Sequence, residues 1–333
     1  MITDTMSHST DLSSKREQLI CLISGGLVFL ISLVISRMYT GGDQVGYHNV
    51  YAVVSGLGLD DRWRDIHIIY LSRISAAEWV HLLVSLVGGV LDIEKNLLMS
   101  LVNAILAAYT VRLFLFWGAS VWVATGLVLT NYYFYVLYFA AERLKFAFLF
   151  LVLSLLFSRK KLCFIASTFL SIFSHFSIVF VYAGIWLSRV SERLTQGRRI
   201  SRWAIIASLA ALAVFLPWNW DYLLWKLNNY QQTSGPMSVA KVLPIAVLLM
   251  LCCLYAKKKS EPVLALLPVL AGILMLDGSR LNMLGFFIFL YYGVQSKGGL
   301  NAGTVAVMLY FAYKTVIFVD AIYFLGQGFG VSG

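Results

Sequence analysis

Two clusters of positive charge, Arg159-Lys160-Lys161 and the run holding Arg189, Arg193, Arg198, Arg199 and Arg202, enclose only 27 mostly apolar residues, 162–188. Lys and Arg gather on the cytoplasmic side of a membrane, so both clusters belong there, yet a single spanning helix would put them on opposite sides. A re-entrant hairpin removes the conflict: residues 162–174 climb, the chain turns around His175, and 176–188 return. Each arm of about 13 residues rises only about 20 Å, short of a hydrocarbon core of roughly 30 Å. His175 is thereby expected at a buried tip, where an ionisable side chain is read first as functional. Its plainer role would be to bond backbone carbonyls freed by the turn.

Membrane residence follows from composition as well. The chain is 60% hydrophobic and 13% charged, with a mean hydropathy of +0.80, values of a polytopic membrane protein rather than a soluble domain. A net charge of +10 would suggest nucleic acid in a soluble protein. Here 15 of the 26 basic residues fall in segments assigned to the cytoplasm, so topology and anionic lipid headgroups account for most of it, and no nucleic-acid partner is expected. The segment 19–35 lacks a small-residue cleavage pattern and reads as a retained anchor. Cys21, Cys163, Cys252 and Cys253 lie in apolar segments without a CxxC pair, which argues against a disulfide framework or a zinc site.

The expected path starts inside at Lys15 and Arg16, crosses at 19–35, and enters a polar external loop, 37–73. Residues 75–91, with Glu78, Trp79 and His81, are short for a span and read as a partly inserted helix. Crossings follow at 96–111, 117–140 and 144–158, then the hairpin, then 203–216, an external loop at 217–240, and crossings at 242–256, 263–276, 281–294 and 304–325. The expectation is an all-α polytopic membrane protein, one integral membrane domain over 1–333, with about 9–10 crossings plus re-entrant or partly inserted helices. This path gathers Asp43, Glu78, Arg143, His175 and Arg280 toward the external leaflet, a set suited to an anionic substrate held by the membrane. Arg143 has an alternative as a snorkelling residue, and Arg280 as a partner of nearby Asp277. Trp218 and Trp220, with Tyr222 and Trp225, are candidates to stack on sugar rings or to form an interfacial aromatic belt. Asp60-Asp61 is too small a set for a metal site, and no metal or cofactor is expected.

Three short patterns, in order, resemble the EpsG-like branch of the Wzy-type polysaccharide polymerases. Asp43-Gln44-Val45-Gly46-Tyr47 followed by Tyr51 is similar to that family's Asp-x3-Tyr-x3-Tyr element, and Glu78 resembles the Glu opening its next short helix. Arg143-Leu144-Lys145-Phe146-Ala147 resembles its Arg-Gln-Gly-Leu-Ala segment, agreeing at Arg143 and Ala147. Phe173-Ser174-His175-Phe176-Ser177 resembles its Phe-His-x-Ser element, with Ser174 displacing the phenylalanine, and Arg280 resembles its late arginine.

The resemblance implies a membrane-embedded glycosyltransferase of GT-C-like type, polymerising O-antigen, capsule or a similar bacterial surface polysaccharide. Its substrate would be a polyprenyl-diphosphate-linked oligosaccharide at the outer face of the inner membrane, with a chain-length regulator as a candidate partner. Arg143 and Arg280 suit the departing diphosphate. His175, Asp43 and Glu78 are the candidate catalytic bases for the acceptor hydroxyl, and Tyr47 and Tyr51 candidate sugar contacts. The sequence has no Walker A loop, no HExxH and no Asp-x-Asp pair of nucleotide-sugar transferases. Two rival readings are a lipid-linked oligosaccharide flippase, disfavoured because no internal repeat is apparent, and a polysaccharide ligase, which handles the same leaving group.

Overall fold

A computed structural model describes residues 15–56, 79–196, 224, 239–275 and 278–329. Glu78, Trp218, Trp220 and the expected crossing 203–216 lie outside these residues. Among the described residues every regular element is helical, as a chain that cannot leave backbone groups unpaired in lipid requires. The chain divides into two compact units, residues 1–175 with 297–333, and residues 176–296.

The first unit opens with α1 (Lys15–Met38) and α2 (Asp43–Ser55), followed by α3 (Trp79–Val90) and α4 (Lys95–Phe116). Next come α5 (Val121–Thr130) and α6 (Tyr132–Tyr135), which runs into a π-helix, Val136–Ala140. Then α7 (Glu142–Leu156) and α8 (Lys161–Ser174) form a pair, and α13 (Ala302–Leu325) returns from the far end of the chain. α1 lies along α4, and Asn103 donates to Ser32 Oγ at 3.0 Å across that seam. The end of α13 is tied to the end of α1: Gly326, left-handed at φ 67°, accepts from Thr40 and Gly41 at 2.9 and 2.8 Å.

Three described helices are long and apolar enough to cross a membrane: α1, α4 and the stretch Lys297–Leu325. A fourth arises if α5 and the helix after it are one bent span. That pair was expected as one crossing, 117–140, and it bends by 50° at the break between the two helices, at Asn131. The cause is local: Asn131 leaves helical geometry at ψ 129°, and its side-chain oxygen accepts from Tyr133 N at 3.0 Å, starting a new helix. The loop 37–73 likewise contains a helix, α2, whose Tyr47, Val50, Tyr51 and Val54 are buried at helical spacing. The helix expected up to residue 174 ends at Ser174; His175 is extended (φ −164°, ψ 120°) and a 3-10 turn, Phe176–Ile178, follows.

α8 has inverted amphipathicity. Its buried residues are Ser167, Ser171 and Ser174, while Leu162, Ile165 and Phe169 are exposed, Leu162 at 81%. In water that arrangement forfeits burial at about 25 cal/mol per Å²; in lipid, small residues pack helix against helix and bulky ones meet acyl chains. α7 is the opposite case: 11 of its 15 residues are buried, so it is the central helix of this unit.

The second unit holds α9 (Val179–Thr195), α10 (Val239–Tyr255), α11 (Ser260–Met275) and α12 (Gly278–Gln295). α9 packs on α11, where Ser188 donates to the Glu261 carbonyl at 3.0 Å, and α10 packs on α12, where Asn282 donates to the Lys241 carbonyl at 3.3 Å.

Adjacent glycines in α1 should respond oppositely to alanine. A Cβ on Gly25 would lie 2.9 Å from the Ala104 carbonyl oxygen, whereas a Cβ on Gly26 meets nothing within 4 Å. Gly25→Ala should destabilise by about 1–3 kcal/mol through overpacking, and Gly26→Ala should be neutral or stabilise by up to about 1 kcal/mol through helix propensity. Thermal unfolding of the purified protein in detergent measures both.

Candidate functional site

The sequence places Glu142, Arg143 and Lys145 at the start of the most buried helix of the first unit. Charges there are expensive unless paired. The π-helix ends at Ala141 (φ −115°, ψ 61°), so α7 begins afresh with Glu142 in its first turn, where a carboxylate complements the positive end of the helix.

Glu142 is 2% exposed and both of its oxygens are engaged. Lys95 Nζ, at the first position of α4, donates to Oε1 at 2.8 Å. His81 Nε2, on α3, lies 3.1 Å from Oε2; because an ionised carboxylate only accepts, Nε2 carries the hydrogen. Lys95 also donates to Gln44 Oε1 at 2.7 Å, and the Gln44 amide donates to the Phe139 carbonyl at the π-helix. One carboxylate therefore joins α3, α4 and α7 directly, and α2 through Gln44.

Above this network Arg143 Nε donates to Tyr47 Oη at 3.1 Å. The Tyr47 ring packs 5.2 Å from the His81 ring, with Lys95 Nζ 5.9 Å and Arg143 Cζ 6.0 Å from its centroid, within cation–π range. Burial pushes the Tyr47 phenol up, with Arg143 opposing that shift, so the hydroxyl stays protonated at neutral pH. Arg143 itself is half-buried, whereas Tyr47 and His81 are buried.

His175 enters through helix register. α7 and α8 are joined by a four-residue turn, 157–160, and pack as an antiparallel pair in which Ser171 Oγ donates to the Ala147 carbonyl at 2.7 Å. Four residues back from Ala147 is Arg143, and four residues on from Ser171 is His175. Both steps rise about 6 Å in the same direction, so Arg143 and His175 lie at one level of the pair. His175 is 5% exposed.

Asp43 is exposed in the first turn of α2, one turn before Tyr47. Tyr51 is turned to the backbone, donating to the Ile93 carbonyl and abutting Gly88, so it braces α2 against α3. Arg280 stands in the first turn of α12 in the second unit. No group of three or more His, Cys, Asp or Glu able to hold a metal occurs among the described residues.

Sequence reasoning did not assign Gln44, His81, Lys95, Glu142 or Lys145. The available signal was Glu142-Arg143-Leu144-Lys145 itself: three charges in four residues beside an apolar run demand partners elsewhere. Comparison with known proteins finds no matching family, no matching curated protein and no matching solved structure.

Glu142→Gln keeps the shape but leaves the Lys95 ammonium buried without its counter-charge. It should cost about 3–5 kcal/mol, seen as a lower unfolding temperature in detergent. Adding Lys95→Met should recover part of that loss, because the stranded charge is then gone.

Proposed function

We propose that this chain is a membrane-embedded glycosyltransferase that polymerises a bacterial surface polysaccharide from polyprenyl-diphosphate-linked repeats at the outer face of the inner membrane. The observation that carries this reading is the Tyr47–Arg143 hydrogen bond. It joins two of the three sequence elements on which the family resemblance rests, 96 residues apart in the chain. The third, His175, comes to the same level through the register of α7 and α8.

The chemistry asks for such a grouping. The bond between the donor sugar's anomeric carbon and the diphosphate oxygen breaks, and the leaving diphosphate takes the electron pair. The acceptor sugar's hydroxyl oxygen bonds that carbon and gives up its proton. Arg143, fixed by Tyr47 through Nε, offers its guanidinium to the leaving group, and Arg280 is assigned the same role from sequence. His175 is assigned the acceptor hydroxyl, as base or as the group that orients it, with Asp43 and Glu78 as the other candidate bases. Surrounding lipid holds the polyprenyl chains, and a chain-length regulator is the natural protein partner.

The test is polymer formation by purified protein from lipid-linked repeats, with substrate binding followed in parallel. His175→Ala should slow turnover by about 100-fold or more while retaining binding. Arg143→Lys and Arg280→Lys, which keep the charge but lose the planar fork, should each lose about tenfold or more. Normal polymerisation by all three variants would overturn the assignment. A deletion strain that accumulates single lipid-linked repeats supports a polymerase, whereas one lacking external intermediates points to a flippase.

A further inference from the structure

Lys145 is a buried lysine of the first unit. It sits at 0% exposure, one turn after Glu142 on the same side of α7, and its Nζ has no hydrogen-bond acceptor among the described residues. Glu142 interacts with it electrostatically but makes its hydrogen bonds to Lys95 and His81. With Lys95 offset by Glu142, the charge of Lys145 is left over. An ammonium has three hydrogens to donate and no way to accept, and burying one alone costs several kcal/mol.

The direction of the side chain narrows what would satisfy it. Helical side chains lean toward the N-terminus of their helix. The Lys145 Cα is three residues, or about 4.5 Å along the axis, from Glu142, so its four-carbon stem points the ammonium back toward the first turn of α7. The N-cap of that turn is Ala141, whose methyl side chain makes no capping hydrogen bond. A helix start carries about half a positive charge and presents backbone N–H groups, the setting in which phosphates bind. Arg143 lies in the same turn and is half-buried.

We infer that Lys145 and the first turn of α7 form the inner part of an anion site that takes a phosphoryl group, with Arg143 as its outer ligand. A phosphoryl group fits better than a carboxylate. It can carry more than one negative charge and offers separate oxygens to a point-charge ammonium, a planar guanidinium and helix amides. The inference rests on the diphosphate-handling part of the proposed function, not on polymerisation. The same chemistry is available from a polyprenyl diphosphate or from a phospholipid headgroup, and the test separates them.

The full-length protein is purified in detergent and titrated with inorganic pyrophosphate, with polyprenyl diphosphate, or with phosphatidylglycerol, following unfolding temperature and binding affinity. Wild type should be stabilised by the diphosphates. Lys145→Met, which removes the lone charge and keeps the volume, should be at least as stable as wild type without ligand and should bind polyprenyl diphosphate about tenfold or more weakly. Unchanged binding by a folded Lys145→Met protein overturns the inference. If that variant does not fold, the wild-type titrations decide, and the absence of stabilisation by any of the three anions overturns it. Stabilisation by phosphatidylglycerol alone keeps the anion site and assigns it to lipid headgroups, which removes its link to the proposed substrate. Lys145-dependent diphosphate binding in a protein that makes no polymer supports the site while sinking the polymerase reading.

Discussion

The carboxylate of Glu142, enclosed and gripped by Lys95 and His81, is the interaction on which the first unit depends. Each partner comes from a different helix, and Gln44 adds a fourth by binding Lys95 and the Phe139 carbonyl. Hydrophobic packing of α2, α3, α4 and α7 is nondirectional and would tolerate sliding. A buried ion pair does not, because a small displacement leaves a charge without its partner at a cost of several kcal/mol. The network therefore fixes the register at which α2 meets α7, and that register sets Tyr47 against Arg143.

The break before α7 serves the same end. A straight helix from Val121 to Leu156 would run past this level without a terminus. The bend at Asn131 and the π-helix at Val136–Ala140 stop it, free carbonyls that Gln44 and Asn103 then bind, and start a new helix at Glu142. π-helical turns often mark functional positions, and this one delivers a helix N-terminus, two cations and a carboxylate to one depth.

Most helices were legible because apolar runs between charges have few alternatives in lipid. The expected segments 96–111 and 304–325 fall within α4 and α13, and 144–158 overlaps α7 over 144–156. α2 was hidden because its loop reads as polar, although Tyr47, Val50, Tyr51 and Val54 already have helical spacing. The bend at Asn131 was hidden because hydropathy averages over a single polar residue. Tyr47, Arg143 and His175 were singled out as candidates through short local patterns. Lys95, His81 and Glu142 were not, since their pairings span 47 to 61 residues and no local pattern announces a contact made at that separation.

The claim that these separate stretches meet at the start of α7 can be measured without knowing the substrate. With Cys21, Cys163, Cys252 and Cys253 replaced by alanine, the pairs Tyr47→Cys with Arg143→Cys, and Arg143→Cys with His175→Cys, are treated in native membranes with thiol-specific bifunctional reagents of increasing length. A pair at opposite ends of the α7–α8 hairpin, Arg143→Cys with Lys161→Cys, serves as the control. The structure requires the first pair to link with the shortest reagent, the second with a short one, and the control only with a reagent long enough to span roughly the 20 Å length of the hairpin. Linking of the control as readily as the two test pairs, or failure of the Tyr47 and Arg143 positions to link at any short length, would contradict it.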